Sequence, residues 1–226
     1  MQHVPLSLHA AFAAITLLAI WLFCRAVPNP RSTRTVILAW VVAQGAIALT
    51  GFYTVTSTLP PRFILLIAPP LLLFALLFLT ARGRRFLDAL DPAALTLVHV
   101  VRIPVELVLY ALCAYKTIPE GMTFAGSNFD ILSGLSAPLI WWFGYKRGPL
   151  NRDVLVAWNL ICIGLLVNIV ARAVLSAPFP FQQLAFDQPN IAVLYFPFVW
   201  LPCCVVPLVL LAHLAALRKL LGRGGE

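Results

Sequence analysis

Three residues on one stretch of the chain carry groups able to do chemistry: His99, Arg102 and Glu106. Spacings of three and four put them within about 60° of one another on a helix, so an imidazole, a guanidinium and a carboxylate share one stripe. The surrounding segment, Ala93 to Tyr115, is otherwise mostly apolar. A charged group at the centre of a membrane helix costs roughly 2.5 to 3.5 kcal/mol, whereas each of the eleven Leu, Ile and Val residues between Leu95 and Leu112 returns only about 0.3 to 0.6 kcal/mol. Inserted alone, this helix is close to break-even. Its stripe is therefore expected to face the interior of a bundle, where Arg102 and Glu106 can also pair across one turn. Pro104 has no N–H to donate and leaves the carbonyl of Val100 open beside Arg102. A donor, an acid, an imidazole and a free acceptor at neighbouring depths suit an ion, a proton or a small polar solute.

Partners for the stripe are sought on other apolar segments at similar depth, and Gln44 and Asn159 are the candidates. Gln44, Ala48 and Gly51 share a face, as do Gly164, Asn168 and Arg172; small-plus-polar seams of this kind also arise from close helix packing alone. Two longer loops, Lys116 to Phe129 and Ala173 to Asn190, mix aromatic and polar residues. Glu120, Asn128 and Asp130 are expected to line an outer vestibule there, with Asp130 alternatively only capping the next helix. No catalytic set is evident: the sequence has no phosphate-binding glycine loop, no dinucleotide fingerprint, no metalloprotease helix and no Ser-His-Asp order. Neither a metal site nor a cofactor is implied. Cys203 and Cys204 are adjacent but lack further ligands at metal-like spacing.

The elements that must position these groups follow from composition. Of 226 residues, 62% are hydrophobic and 11% charged, and the mean hydropathy is +0.94, too little polar surface to cover a water-soluble globule. Apolar runs recur along the whole length without a soluble-looking block, which predicts one transmembrane helical domain over residues 1–226. The net charge of +8 is spread over short loops, not gathered on one face, and so argues against nucleic acid. All five cysteines lie in or beside apolar runs and read as small buried hydrophobes. The first apolar run has no basic segment before it and no small-residue cleavage site after it, and is expected to be a retained helix.

Apolar runs predict an all-α bundle of about seven spans: Pro5 to Arg25, Thr35 to Tyr53, Phe63 to Thr80, Ala93 to Tyr115, Asp130 to Tyr145, Val154 to Leu175 and Ile191 to Leu217. The fifth is the shortest and reads either as a full span or as a re-entrant segment. Basic residues alternate between the loops. Arg25, Arg31 and Arg34 follow the first span, Arg82, Arg84 and Arg85 the third, Lys146, Arg147 and Arg152 the fifth, and Arg218, Lys219 and Arg223 the seventh; the other loops hold only Arg62, Lys116 and Arg172. Positive loops stay in the cytoplasm, so the N-terminus is expected outside and the C-terminus inside. Trp21, Trp40, Trp141, Trp142 and Trp158 fall near the ends this rule places inside, and Trp200 lies deep in a span. Pro69 and Pro70 interrupt the third span; Pro197, Pro202 and Pro207 recur through the seventh. Arginine in excess of lysine, with abundant alanine, leucine and proline, points to a bacterial cytoplasmic membrane.

Two seven-helix families are compared and set aside. A retinal protein needs a lysine in the middle of its last helix, and Lys219 lies beyond the end of this one. The Trp200-Leu201-Pro202 element is similar to one in G-protein-coupled receptors but sits in the wrong span. A haem bundle needs two histidines on facing helices; His99 and His213 share the cytoplasmic half, although matched faces are not evident. The reading is thus a multi-pass, transporter-like membrane protein whose partners are the bilayer and a small solute or ion, with no role for nucleic acid. Alternatives are a non-catalytic subunit or scaffold, bound to another membrane protein or to copies of itself, and an intramembrane enzyme acting on a lipid-type substrate through His99 or Glu106.

Overall fold

The computed structural model describes residues 1, 3–148 and 150–222, so Arg223 of the last basic cluster lies outside the described residues. Every regular element among them is helical. The elements are α1 (Leu6–Arg25), α2 (Pro30–Leu49), α3 (Ile64–Leu79), α4 (Ala81–Ala89), α5 (Pro92–Val98), α6 (Arg102–Ala114), α7 (Ile131–Trp141), α8 (Arg152–Leu175) and α9 (Val206–Gly222). A 3-10 turn, His99–Val101, joins α5 to α6, and it lies on the N-terminal side of Pro104, where the missing N–H and the pyrrolidine ring disfavour regular α-helix. Wider π turns follow α7 and precede α9.

Helices stand at all seven expected places, but not all with the expected length. Five are long and apolar enough to cross a membrane: Leu6–Arg25, Pro30–Leu49, Pro92–Ala114, Arg152–Leu175 and Leu201–Gly222. A sixth is reached if α3 is taken with α4, from which it bends by 93°. α3 has 16 residues, as do the 11 of α7 plus the 5 of its π turn. At 1.5 Å per residue each reaches about 24 Å, short of a ~30 Å hydrocarbon core. The last span begins at Leu201 and not at Ile191. The intervening residues instead fold back over the 116–118 loop, with the amides of Ile191 and Ala192 donating to the Thr117 carbonyl at 3.0 and 3.1 Å.

The α5–α6 helix is central, with α1, α7 and α9 against it; α8 packs on α9 and α7, and α2 and α3 are peripheral. The most apolar stretches of Pro92–Ala114 and Leu201–Gly222 are 50% and 61% buried, against 22% to 33% for those of the other three long helices, so these two form the axis. The outer surface is apolar: Leu72, Leu132, Leu139, Ile161 and Val167 are all more than half exposed. The buried set, by contrast, includes His99, Arg102, Glu106, Asp130, Asn159 and His213. Apolar outside and polar within is the distribution that lipid as solvent selects.

The arginine-rich segments gather at one end. At Gly83 a Cβ would lie 2.4 Å from the backbone of Leu77, so only glycine lets α4 fold back against α3. Thr80 caps α4 by accepting from the Gly83 amide at 3.1 Å, and Arg84 donates to the Leu79 carbonyl at 2.8 Å. Asp88 on α4 makes a forked pair with Arg218 on α9 at 2.8 and 3.0 Å. The Asp91 amide donates to Ala26, just past Arg25, and Arg152 reaches the Leu221 carbonyl.

Two tryptophans pin α2 to the last helix: Trp40, expected at headgroup level, and Trp200, expected deep within a span. Pro207 cannot donate to the Cys203 carbonyl, and Trp40 Nε1 on α2 donates to it at 2.9 Å. In return Trp200 Nε1 donates to Val41 at 2.8 Å, its ring lying against Gly45.

Candidate functional site

The site is built on the α5–α6 helix, whose period turns His99, Arg102 and Glu106 to one side; they are 1%, 3% and 2% exposed. What meets them is set by α7. At Gly134 a Cβ would fall 2.8 Å from Ile103 Cγ1 and 3.2 Å from the His99 carbonyl, so glycine at this position lets α7 lie directly on the stripe. One turn earlier on that face, Asp130 reaches Arg102, with Asp130 Oδ1 3.1 Å from Arg102 Nη1. Arg102 therefore pairs with Asp130 rather than with Glu106. Glu106 accepts instead from Asn128 Nδ2 at 2.6 Å, and Asn128 is fixed by a second bond to the Met122 carbonyl at 3.0 Å. The oxygen of Asn128 accepts from the Asp130 amide at 3.0 Å, which joins both acids in one network.

At the other end of the stripe α9 brings His213 onto His99, the rings stacked at 3.7 Å with 17° between their planes. Asn159 on α8 holds His213 Nδ1 at 2.8 Å. Trp158 stands edge-on to His99 and donates to Ser136 Oγ at 2.9 Å. Facing histidines thus exist, but as a contact stack rather than as nitrogens opposed across a macrocycle, which leaves no haem site between them. From His99 to Glu106 the groups form a column about 10 Å long along the helix axis.

The column is under-satisfied. Glu106 Oε2, Ser133 Oγ, His99 Nδ1, His213 Nε2 and the Arg102 guanidinium nitrogens are buried without a hydrogen-bond partner, although Arg102 keeps its ionic contact to Asp130. Charges do not cancel by count either, since one guanidinium faces two carboxyl groups. Asp130 takes the direct contact, and Glu106 is left to carry a proton or to face a cation. Glu106 and Asp130 also line a cavity of about 360 Å³ between α3, α6, α8 and α9.

Of the residues singled out in sequence, His99, Arg102, Glu106 and Asn159 thus lie on the column. Asn128 and Asp130, assigned above to an outer vestibule, are buried and belong to the same network. Glu120 is exposed and apart from it. Gln44 is buried on α2, where its side-chain oxygen accepts from the hydroxyl of Tyr53 and takes no part in the column. Ser133 was not anticipated, and His213 entered only as a haem ligand. Ser133, four before Ala137 and one before Gly134, lies on the small-residue face of α7, which was the available signal. Among the described residues, no group of three or more His, Cys, Asp or Glu side chains is placed to hold a metal ion.

A bundle of apolar helices wrapped around a buried, partly unpaired column of ionisable groups defines the class as membrane protein. The chain belongs to the family described as a domain of unknown function, DUF8737, whose profile matches residues 59–221. The match begins after α2 and includes every residue of the column. No curated protein and no solved structure matches the chain.

Proposed function

We propose that this is a seven-span protein of the bacterial cytoplasmic membrane, N-terminus outside, that handles a proton or small cation at Glu106. The observation that carries the reading is the charge count: Arg102 is engaged by Asp130, and Glu106 Oε2 has no partner although the residue is only 2% exposed. An acid in that position exchanges a proton or binds a positive ion, because an unpaired carboxylate in low dielectric is too costly to persist. Asn128 holds Oε1 and leaves Oε2 free for that exchange. The stacked histidines and Asn159 continue the column toward the end where the arginine-rich segments gather, and they supply groups that pass protons. The gathering of those segments at one end supports the proposed orientation.

The test is flux into proteoliposomes carrying a pH-sensitive dye, with sodium, potassium or no cation gradient. Wild-type protein should move charge or protons, and Glu106→Gln, which preserves shape and the bond to Asn128, should abolish this while the fold is retained. Equal flux from wild type, Glu106→Gln and empty vesicles would refute the reading. It would favour a scaffold in which the Arg102–Asp130 pair only fixes helix register.

A further inference from the structure

We propose that the cavity beside Glu106 binds the primary ammonium head of a single-chain amphiphile that enters sideways from the bilayer. The inference rests on the reading of Glu106 as the site that takes positive charge, and it names the ligand class.

Four features of the cavity carry it. Its walls are almost wholly apolar, with Ile67 and Leu71 from α3, Val105 from α6, and Leu166 and Val170 from α8 among them. Its volume, about 360 Å³, lies within the ~300–1,000 Å³ of small-molecule sites. The polar side chains on the wall are Glu106, Asp130 and Asn190, which are 2%, 5% and 0% exposed. Their oxygens are short of donors: Glu106 Oε2 and Asn190 Oδ1 have no partner, and Asp130 Oδ1 has only its ionic contact to Arg102. The Asn190 amide nitrogen is already committed to the Ala173 carbonyl at 3.1 Å, which leaves its oxygen as the group without a partner.

Acceptors without donors select a head that donates, and the one uncompensated carboxyl group selects a head that is positive. A primary ammonium satisfies both, with three N–H donors and one charge. A hydroxyl donates without charge, a trimethylammonium is charged without donors, and a carboxylate is repelled. Two wall residues, Leu71 and Val167, are 50% and 58% exposed on the lipid-facing surface of α3 and α8. The gap between these helices is the route by which an aliphatic chain stays in hydrocarbon while its head reaches Glu106. Such a head comes either from a free long-chain amine or from an ethanolamine lipid.

Protein in phosphatidylcholine nanodiscs is to be titrated with tritiated dodecylamine, with empty nanodiscs subtracted. Saturable binding is expected. Glu106→Gln should weaken it about tenfold to a hundredfold, the scale of one lost charge-assisted hydrogen bond. Val170→Phe, which fills the cavity without touching the acids, should abolish it, with thermal unfolding reporting that both variants are folded. Dodecanol, dodecyltrimethylammonium and dodecanoate should compete poorly. Competition by phosphatidylethanolamine in the disc assigns the head to a bilayer lipid, and no competition assigns it to a free amine; either supports the proposal. Equal competition by dodecanol or dodecyltrimethylammonium, or unchanged affinity in both variants, overturns it. Glu106-dependent cation or proton flux without amine binding would sink only this inference. Amine binding without any flux would sink the transport reading and keep the site.

Discussion

Replacing Asp130 by leucine tests the arrangement of the column most directly. In the structure Asp130 is the residue in ionic contact with Arg102, at 3.1 Å, and the two are 5% and 3% exposed. Asp130→Leu strands the guanidinium in a low-dielectric interior with no other anion in contact. Breaking a buried pair from one side costs about 3–5 kcal/mol, whereas replacing both members by apolar groups of similar volume is often neutral. The double variant Arg102→Met with Asp130→Leu should therefore recover to within about 1–2 kcal/mol of wild type. Unfolding in mixed dodecylmaltoside and dodecyl sulfate micelles, followed by tryptophan fluorescence, measures all four corners of this cycle. A coupling of about 2 kcal/mol or more is expected for Arg102 with Asp130, and a smaller one for Arg102 with Glu106. Effects that add to within about 0.5 kcal/mol would refute the pairing, and so would a larger coupling to Glu106. A double variant that is stable yet inactive in flux would separate the pair's role in function from its role in folding.

Three further outcomes follow from the same geometry. Trp40→Phe should cost about 1–3 kcal/mol, because Pro207 removes the regular i+4 donor to the Cys203 carbonyl, while Trp200→Phe should cost only the ~0.5–1.5 kcal/mol of an ordinary hydrogen bond; the same micelle titration ranks them, and the reverse order would contradict the pinning. Gly134→Val should destabilise by about 3 kcal/mol or more, since even a Cβ meets Ile103 and the His99 carbonyl, and it should also weaken the Arg102–Asp130 coupling by lifting α7 off the stripe. Asp88 lies on α4, outside the spans, and its carboxyl is held below its ordinary value of 3.8, first by the hydrogen bond from Arg218. A lowered folded value means that this contribution is present above the unfolded value and lost as pH falls through the folded one, so Asp88→Asn should flatten stability against pH below about pH 4. Superimposable acid limbs for variant and wild type would show the pair to be inert.

The stripe on the fourth span is legible in the sequence because a helix period leaves His99, Arg102 and Glu106 no choice but to share a side, and the cost of charge in lipid leaves that side no choice but to face inward. The identity of the opposing groups is not legible in that way. Asn128 and Asp130 precede a helix, and at that position a polar residue reads as a loop or a cap. Whether it does so at the headgroups or inside the bundle depends on how far the helix reaches. α7 with its π turn extends about 24 Å, and Gly134 draws its first turns against Ile103, so its start sits beside the centre of the α5–α6 helix. His213 is legible in depth but not in face: the last helix opens on a π turn, Leu201–Val205, which shifts the phase counted along it. Gln44 shows the converse, since a buried polar side chain on an apolar helix finds its partner in Tyr53, only nine residues away. In a bundle of this kind the acids most easily overlooked are those in the first turn of a short helix, where a cap that reads as a surface feature can instead lie beside the middle of a longer neighbour.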